Sequence, residues 1–226
     1  MLTERTFAAF LLDMDGTLVD SIAATNRIWT GWAERHGIDP DAVLRTMHGV
    51  RAVETIRRHL PQGDIEREAA VLTQAELADM EGVLELAGAA AFLRSLPPRR
   101  WAVVTSAPRA LALARLERAG VPVPSVLVTA EDVTRGKPAP DCFLLAARKL
   151  GVEPGDCLVW EDAPSGIAAA EAAGATVVVV TATHAHPRAT SHPMVASYEG
   201  LAAGLDAAGR LTLALAGSRA ARPASP

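Results

Sequence analysis

Cysteine is scarce in this chain. Cys142 and Cys157 are the only two in 226 residues, and their spacing makes no C-x-x-C pair. Nothing therefore suggests a disulfide framework, and the expectation is two buried free thiols in a reducing cytosol. Long apolar runs are also missing. A stretch such as Ala175 to Ala182 is far too short to span a bilayer, and the acidic Glu4 does not suit a secretory leader. Charge of one sign is not in excess either. A formal net charge of -4 gives no reason to expect nucleic acid or an anionic membrane as partner. No internal repeat is found. What remains is a chain that is 50% hydrophobic and 21% charged, the balance of a soluble globular protein of one or two domains.

One stretch organises the rest. The apolar run Phe7 to Leu12 ends on Asp13-Met14-Asp15-Gly16-Thr17-Leu18-Val19-Asp20-Ser21. Such a run suits a strand buried on both faces, and Asp13 then sits at its carboxyl end, where open α/β sheets place their ligands. Two carboxylates this close repel unless a cation or a shared proton relieves them. Hard Mg²⁺ prefers oxygen ligands and is the natural cure, with Asp13 and Asp15 as candidate ligands. A carboxylate can also attack phosphorus.

After Ser21 the period changes. Apolar residues at helical spacing, with breaks at Gly37, His48-Gly49 and Pro61-Gln62-Gly63, describe four helices and no strand over residues 20–82. This is expected to be a separate, all-helical insert, leaving residues 1–19 and 83–226 as the core. From Leu86 strand and helix alternate, with strands at Trp101 to Thr105, Val126 to Thr129, Cys157 to Trp160 and Thr176 to Thr181. Alternation of this kind implies right-handed βαβ units, hence a doubly wound α/β fold with a mainly parallel sheet. Toward the end the pattern suggests a short strand at Val195, a helix from Gly200, an edge strand at Leu211 to Leu215, and a disordered tail over 216–226.

The polar clusters fall just past strand ends: Asp13 and Asp15, Thr105 and Ser106, Glu161 and Asp162. They converge on the rim of one site, and the mixture suits phosphoryl transfer. Asp13 can attack. Glu161 and Asp162 can complete a metal shell begun by Asp13 and Asp15. Lys137, between Gly136 and Pro138, offers a point charge to phosphoryl oxygens. Thr17, Thr105 and Ser106 offer hydroxyls, and Asp15 can protonate a leaving alkoxide and later activate water. His184, His186 and His192 lie in a Pro-containing stretch without acidic or thiol ligands nearby and read as a surface loop.

With these motifs in order, the chain resembles the haloacid dehalogenase superfamily. The resemblance is carried by Asp13-Met14-Asp15-Gly16-Thr17, Val104-Thr105-Ser106, Gly136-Lys137-Pro138 and Glu161-Asp162-Ala163-Pro164-Ser165-Gly166, and covers about residues 7–200. It implies a Rossmann-like core, a helical cap, Mg²⁺, and an aspartyl-phosphate on Asp13. Gly136-Lys137-Pro138-Ala139-Pro140-Asp141 and the Glu-Asp-Ala-Pro-x-Gly form resemble a branch of sugar, 2-deoxyglucose-6-phosphate and glycerol-phosphate phosphatases. Its cap carries a His-Gly-x-Arg segment, matched by His48-Gly49-Val50-Arg51, which implies substrate contacts from His48 and Arg51. The expected partner is a small phosphate monoester of a sugar or polyol, and the expected state a cytoplasmic monomer. Two rivals stand beside this reading: a phosphosugar mutase resembling β-phosphoglucomutase, and a non-catalytic binding protein on the same scaffold.

Overall fold

The computed structural model describes residues 2–184 and 190–215. In chain order the strands and α-helices are β1 (Thr6–Phe7), β2 (Ala9–Leu12), β3 (Val19–Asp20), α1 (Ile22–Arg35), α2 (Pro40–Met47), α3 (Ala52–His59), α4 (Ile65–Ala78) and β4 (Leu84–Glu85). They continue as α5 (Ala89–Ser95), β5 (Trp101–Val104), α6 (Arg109–Arg118), β6 (Leu127–Val128), α7 (Asp141–Leu150), β7 (Cys157–Glu161), α8 (Pro164–Ala172) and β8 (Thr176–Val180). The chain closes with β9 (Met194–Val195), β10 (Leu201–Leu205) and β11 (Leu211–Leu215).

Six strands form one parallel sheet in the order β6-β5-β2-β7-β8-β9. All four residues of β2 are buried, which is why that segment reads as an unbroken apolar run. Successive side chains point to opposite faces, so Phe10 and Leu12 join one apolar cluster with Trp160 and Val178, while Ala9 and Leu11 join another with Val159 and Val177. On the first face Phe10 stacks on Phe92, and Trp160 on Tyr198, with ring centroids 6.2 and 5.2 Å apart. Each large side chain buried in this way contributes about 1.5–3 kcal/mol relative to leaving it in water.

Helices α1 to α4 have an apolar cluster of their own, built on Trp29, Trp32, Val43, Met47, Ile56 and Leu72. Asp39 and Asp64 cap α2 and α4 through their carboxylates. The helical stretch leaves and rejoins the sheet through an antiparallel ribbon, β3 against β4, that pairs Val19 with Glu85 and Asp20 with Leu84.

The carboxyl-terminal region differs from the reading of the sequence. Leu201–Leu205 is a strand and not a helix; it pairs with β11, which lies between β10 and β1 in a separate three-stranded antiparallel sheet and is not an edge. The reason is the turn between them: the Asp206 carboxylate accepts from the N–H groups of Ala208 and Arg210, both at 2.8 Å, closing a hairpin that outweighs the helix-forming alanines. The segment expected to be a tail, 216–226, lies outside the described residues, as does His186. Among the described residues no helix is long and apolar enough to cross a membrane.

Candidate active site

The carboxyl ends of β2, β5 and β7 are adjacent in the sheet, so the segments that follow them meet at one edge. Asp13 leaves β2, Thr105 and Ser106 leave β5, and Glu161 and Asp162 end β7. Lys137 arrives from the loop after β6 and lies almost wholly buried among them. Its ammonium donates to Asp13 Oδ1 at 2.6 Å, Glu161 Oε1 at 2.7 Å and the Val104 carbonyl at 3.2 Å, and stands 5.1 Å from the Phe143 ring centre. Glu161 is fixed from the other side, its Oε2 accepting from the N–H groups of Asp162 and Ala163 at 2.8 Å. A side chain at Gly166 would collide with the Glu161 carboxylate, so this step of α8 has to be glycine.

Burial pushes the Asp13 carboxyl up to about 8, against the pull of Lys137 and with the help of Glu161. Burial, then the charges of Glu161 and Asp13, raise Asp162 as well. Burial alone would lower Lys137, but Asp13 and Glu161 hold it above the ordinary lysine value. The centre thus holds three buried carboxylates against one buried ammonium. Ligand oxygens of Asp13, Glu161 and Asp162 all lie within 4.8 Å of one another. An all-oxygen set with excess negative charge fits a hard divalent cation.

Not every residue expected at this centre is there. Asp15, expected as a metal ligand, is outside the acidic cluster. Its Oδ1 instead accepts from Ser21 Oγ at 2.6 Å and from the Arg115 guanidinium at 2.9 Å. The Thr17 hydroxyl, expected on phosphate, is buried against Asp162 Oδ1 at 3.2 Å. Thr105 Oγ1 accepts from the Ala107 N–H at 3.0 Å, and Ser106 Oγ donates to the Gly49 carbonyl at 2.9 Å. Both nevertheless line the cavity that opens onto Asp13, Asp15 and Asp162.

The roof of that cavity is the helical stretch. Trp29, Met47, His48, Gly49 and Val50 line it, whereas Trp32 belongs to the interior of the helical cluster. Arg51 does not reach the cavity. It bonds Glu54 and donates to the carbonyls of Val133 and Thr134, both at 2.9 Å, fastening the roof to the loop after β6. Gly49 touches the opposite wall. Its φ is +74°, and a Cβ there would meet Ser165 Oγ at 2.5 Å and the Ala163 methyl at 2.7 Å. Gly49→Ala is therefore expected to strain the turn, costing about 1–3 kcal/mol in thermal denaturation. By pushing the roof off the site it should also lower kcat/KM by about tenfold or more. Unchanged kinetics would mean that this contact does not set the geometry of the site.

His184 and His192 form no cluster in the structure. His184 bonds the Asp162 carbonyl at 2.9 Å, and His192 the Glu171 carboxylate at 2.7 Å. The cysteines are free and buried, and burial pushes the Cys157 thiol up to about 12, which makes it unreactive. Two charged residues at the cavity were not singled out from the sequence, Glu76 and Arg115. Both are buried, and Arg115 bonds Glu76 Oε1 at 3.1 Å and Thr25 Oγ1 at 2.9 Å in addition to Asp15. The signal was present: Arg115 follows Leu111 by four residues on α6, and Glu76 follows Leu72 by four on α4, so each charge lies on a buried stripe.

This parallel sheet with an acidic centre at the ends of its strands belongs to the haloacid dehalogenase-like hydrolase family, whose model matches residues 7–174. The chain is 45% identical over 184 residues to hexitol phosphatase A of Escherichia coli strain K12, spanning 79% of this chain and 85% of that protein. It is 32% identical over 196 residues to 2-deoxyglucose-6-phosphate phosphatase 1 of Saccharomyces cerevisiae, spanning 77% and 80% of the two chains. Among solved structures, a hydrolase from Pseudomonas syringae superposes with a TM-score of 0.70 at 29% identity, over 77% of this chain and 84% of that one.

Proposed function

We propose that the protein is a Mg²⁺-dependent phosphatase that hydrolyses a phosphate monoester of a polyol or sugar in two steps through Asp13. The observation that carries this reading is the buried contact of Lys137 with Asp13 and Glu161 beside Asp162, at the floor of a roofed cavity. The activities named for the relatives support the substrate class. Asp13, Asp162 and Glu161 would hold the cation, which when bound neutralises phosphoryl charge.

Lys137 holds Asp13 Oδ1, leaving the other oxygen to attack phosphorus. The bond from phosphorus to the leaving oxygen breaks, and that oxygen takes a proton from Asp15. Water then attacks the acyl phosphate and gives its proton to Asp15. The bond to Asp13 breaks and inorganic phosphate leaves. Ser21 and Arg115 both hold Asp15 Oδ1, so its second oxygen is the one left for proton transfer. The free thiols suit a cytosolic location. The test is phosphate release from a panel of phosphorylated sugars and polyols, with and without Mg²⁺. No release from any member would overturn the reading.

The acidic centre also makes stability depend on pH. With no cation bound, Asp13 has a pKa of about 8 in the folded protein against 3.8 in a free side chain. The folded state therefore keeps a proton that the unfolded chain gives up, and this contribution, complete below the unfolded value, is lost as pH rises through about 8. A cation takes the place of that proton. Mg²⁺ is expected to raise Tm more at about pH 9 than at about pH 6, and to release protons on binding near neutrality. A Tm increment that is constant with pH would show that metal and proton do not compete at Asp13.

A further inference from the structure

We infer that Glu76 and Arg115 recognise the leaving group, and that they select a neutral polyhydroxyl chain over one bearing a second anion. The inference deepens the reading just given and rests on it.

The cavity above Asp13 is apolar along Ile22, Trp29, Met47, Val50 and Leu111. A polyol there must find its hydrogen bonds elsewhere, because a hydroxyl moved out of water without a partner is destabilised. Glu76 and Arg115 supply them. Both line the cavity and both are buried, at 8% and 4% exposure, so neither is a solvated surface charge. Arg115 stands on α6 below the roof and reaches up to Glu76 of α4 and Thr25 of α1, while its other end holds Asp15. Its Nε is buried and has no partner among the described residues. That donor is sealed off in this structure, so what faces a leaving group is the part of Arg115 that lines the cavity. Glu76 beside it accepts from hydroxyl donors. A carboxylate and a guanidinium side by side, next to the residue that protonates the leaving oxygen, can read hydroxyls on neighbouring carbons.

The same residues disfavour a second anion. Among the described residues lining the cavity, Arg115 is the only one with a permanent positive charge, and it is shared by Asp15 and Glu76. Two carboxylates against one guanidinium leave this end of the cavity negative. Arg51, the other nearby arginine, is committed to the loop carbonyls of Val133 and Thr134. A carboxylate or second phosphate on the leaving group would enter a low-dielectric pocket with no uncommitted cation to meet it.

The test compares kcat/KM for p-nitrophenyl phosphate, a hexitol 6-phosphate, 2-phosphoglycolate and a hexose bisphosphate in the Mg²⁺-loaded enzyme. Wild type should prefer the hexitol phosphate to both anionic substrates by about a hundredfold or more. Glu76→Gln, which keeps shape and removes one charge, should narrow that preference by about tenfold. Arg115→Met should lower the ratio of hexitol phosphate to ethyl phosphate, added to the panel because its leaving oxygen needs the same proton from Asp15, by about tenfold or more. Should that variant not fold, Thr25→Val, which frees one side of the guanidinium, should lower the same ratio severalfold. Substrate ratios equal to wild type in Glu76→Gln, or losses of equal proportion on every substrate, would show the bridge to be only a fastener and overturn the inference while leaving the phosphatase reading intact. Wild type active on p-nitrophenyl phosphate but on no sugar or polyol phosphate would overturn both.

Discussion

Asp13→Asn is expected to leave a folded protein with no measurable turnover. The amide matches the carboxylate in size, and its oxygen can still accept from Lys137, so the packing around the buried ammonium persists. What disappears is the nucleophile, because an amide does not attack phosphorus at neutral pH. Losses on removing a covalent nucleophile exceed about 10⁴-fold where the remaining groups act only as part of the same unit. The substitution also removes one of three buried carboxylates, so the metal-free variant should lack the pH-dependent stability change assigned to Asp13. Thermal melts and a rapid acid quench of wild type with substrate, followed by mapping of the phosphorylated peptide, check both parts. Mg²⁺-dependent turnover by purified Asp13→Asn would sink the nucleophile assignment.

Asp15→Asn should act on a different step. Its side chain faces Ser21 and Arg115 and stays out of the acidic cluster, so the metal set should survive. Removing a positioned general acid costs about 10²–10⁴ in rate when the leaving oxygen needs a proton. A hexitol phosphate has such a leaving group, whereas p-nitrophenolate departs as a stable anion. The variant should therefore lose far more activity on the first than on the second, with its Mg²⁺ dependence unchanged. Equal losses on the two substrates would remove Asp15 from the acid role.

The parts of this site that could be read in the sequence are those fixed by short segments at strand ends. Asp13, Thr105 and Glu161 each follow an apolar run whose length marks a strand buried on both faces, and a parallel sheet brings such ends together. Lys137 was legible from its place between Gly136 and Pro138; it is also one of only two lysines in a chain that otherwise draws its positive charge from arginine. The helices of the roof were legible from period and caps. Side-chain direction was not. Arg51 matched a pattern that implied a substrate contact, but the loop carbonyls of Val133 and Thr134 lie within its reach and capture it. Arg115 and Glu76 are hard to read from the sequence because a charge on a helix is usually solvated; only the buried neighbours four residues earlier distinguish them. The first strand of the carboxyl-terminal hairpin reads as a helix because its alanines favour one, while Asp206 and Gly209 fix a turn; the second, Leu211–Leu215, was legible as a strand.

The scarcity of lysine, joined to the burial of Lys137, gives the protein a built-in chemical gauge. Lys149 has a side chain 40% exposed, and Lys137 only 1%. An amine-reactive reagent should label Lys149 at once and leave Lys137 untouched while the strand ends stay together. Any loosening of that edge, by chelation, substitution or heat, would be reported as label on Lys137, with Lys149 as the internal standard in the same digest.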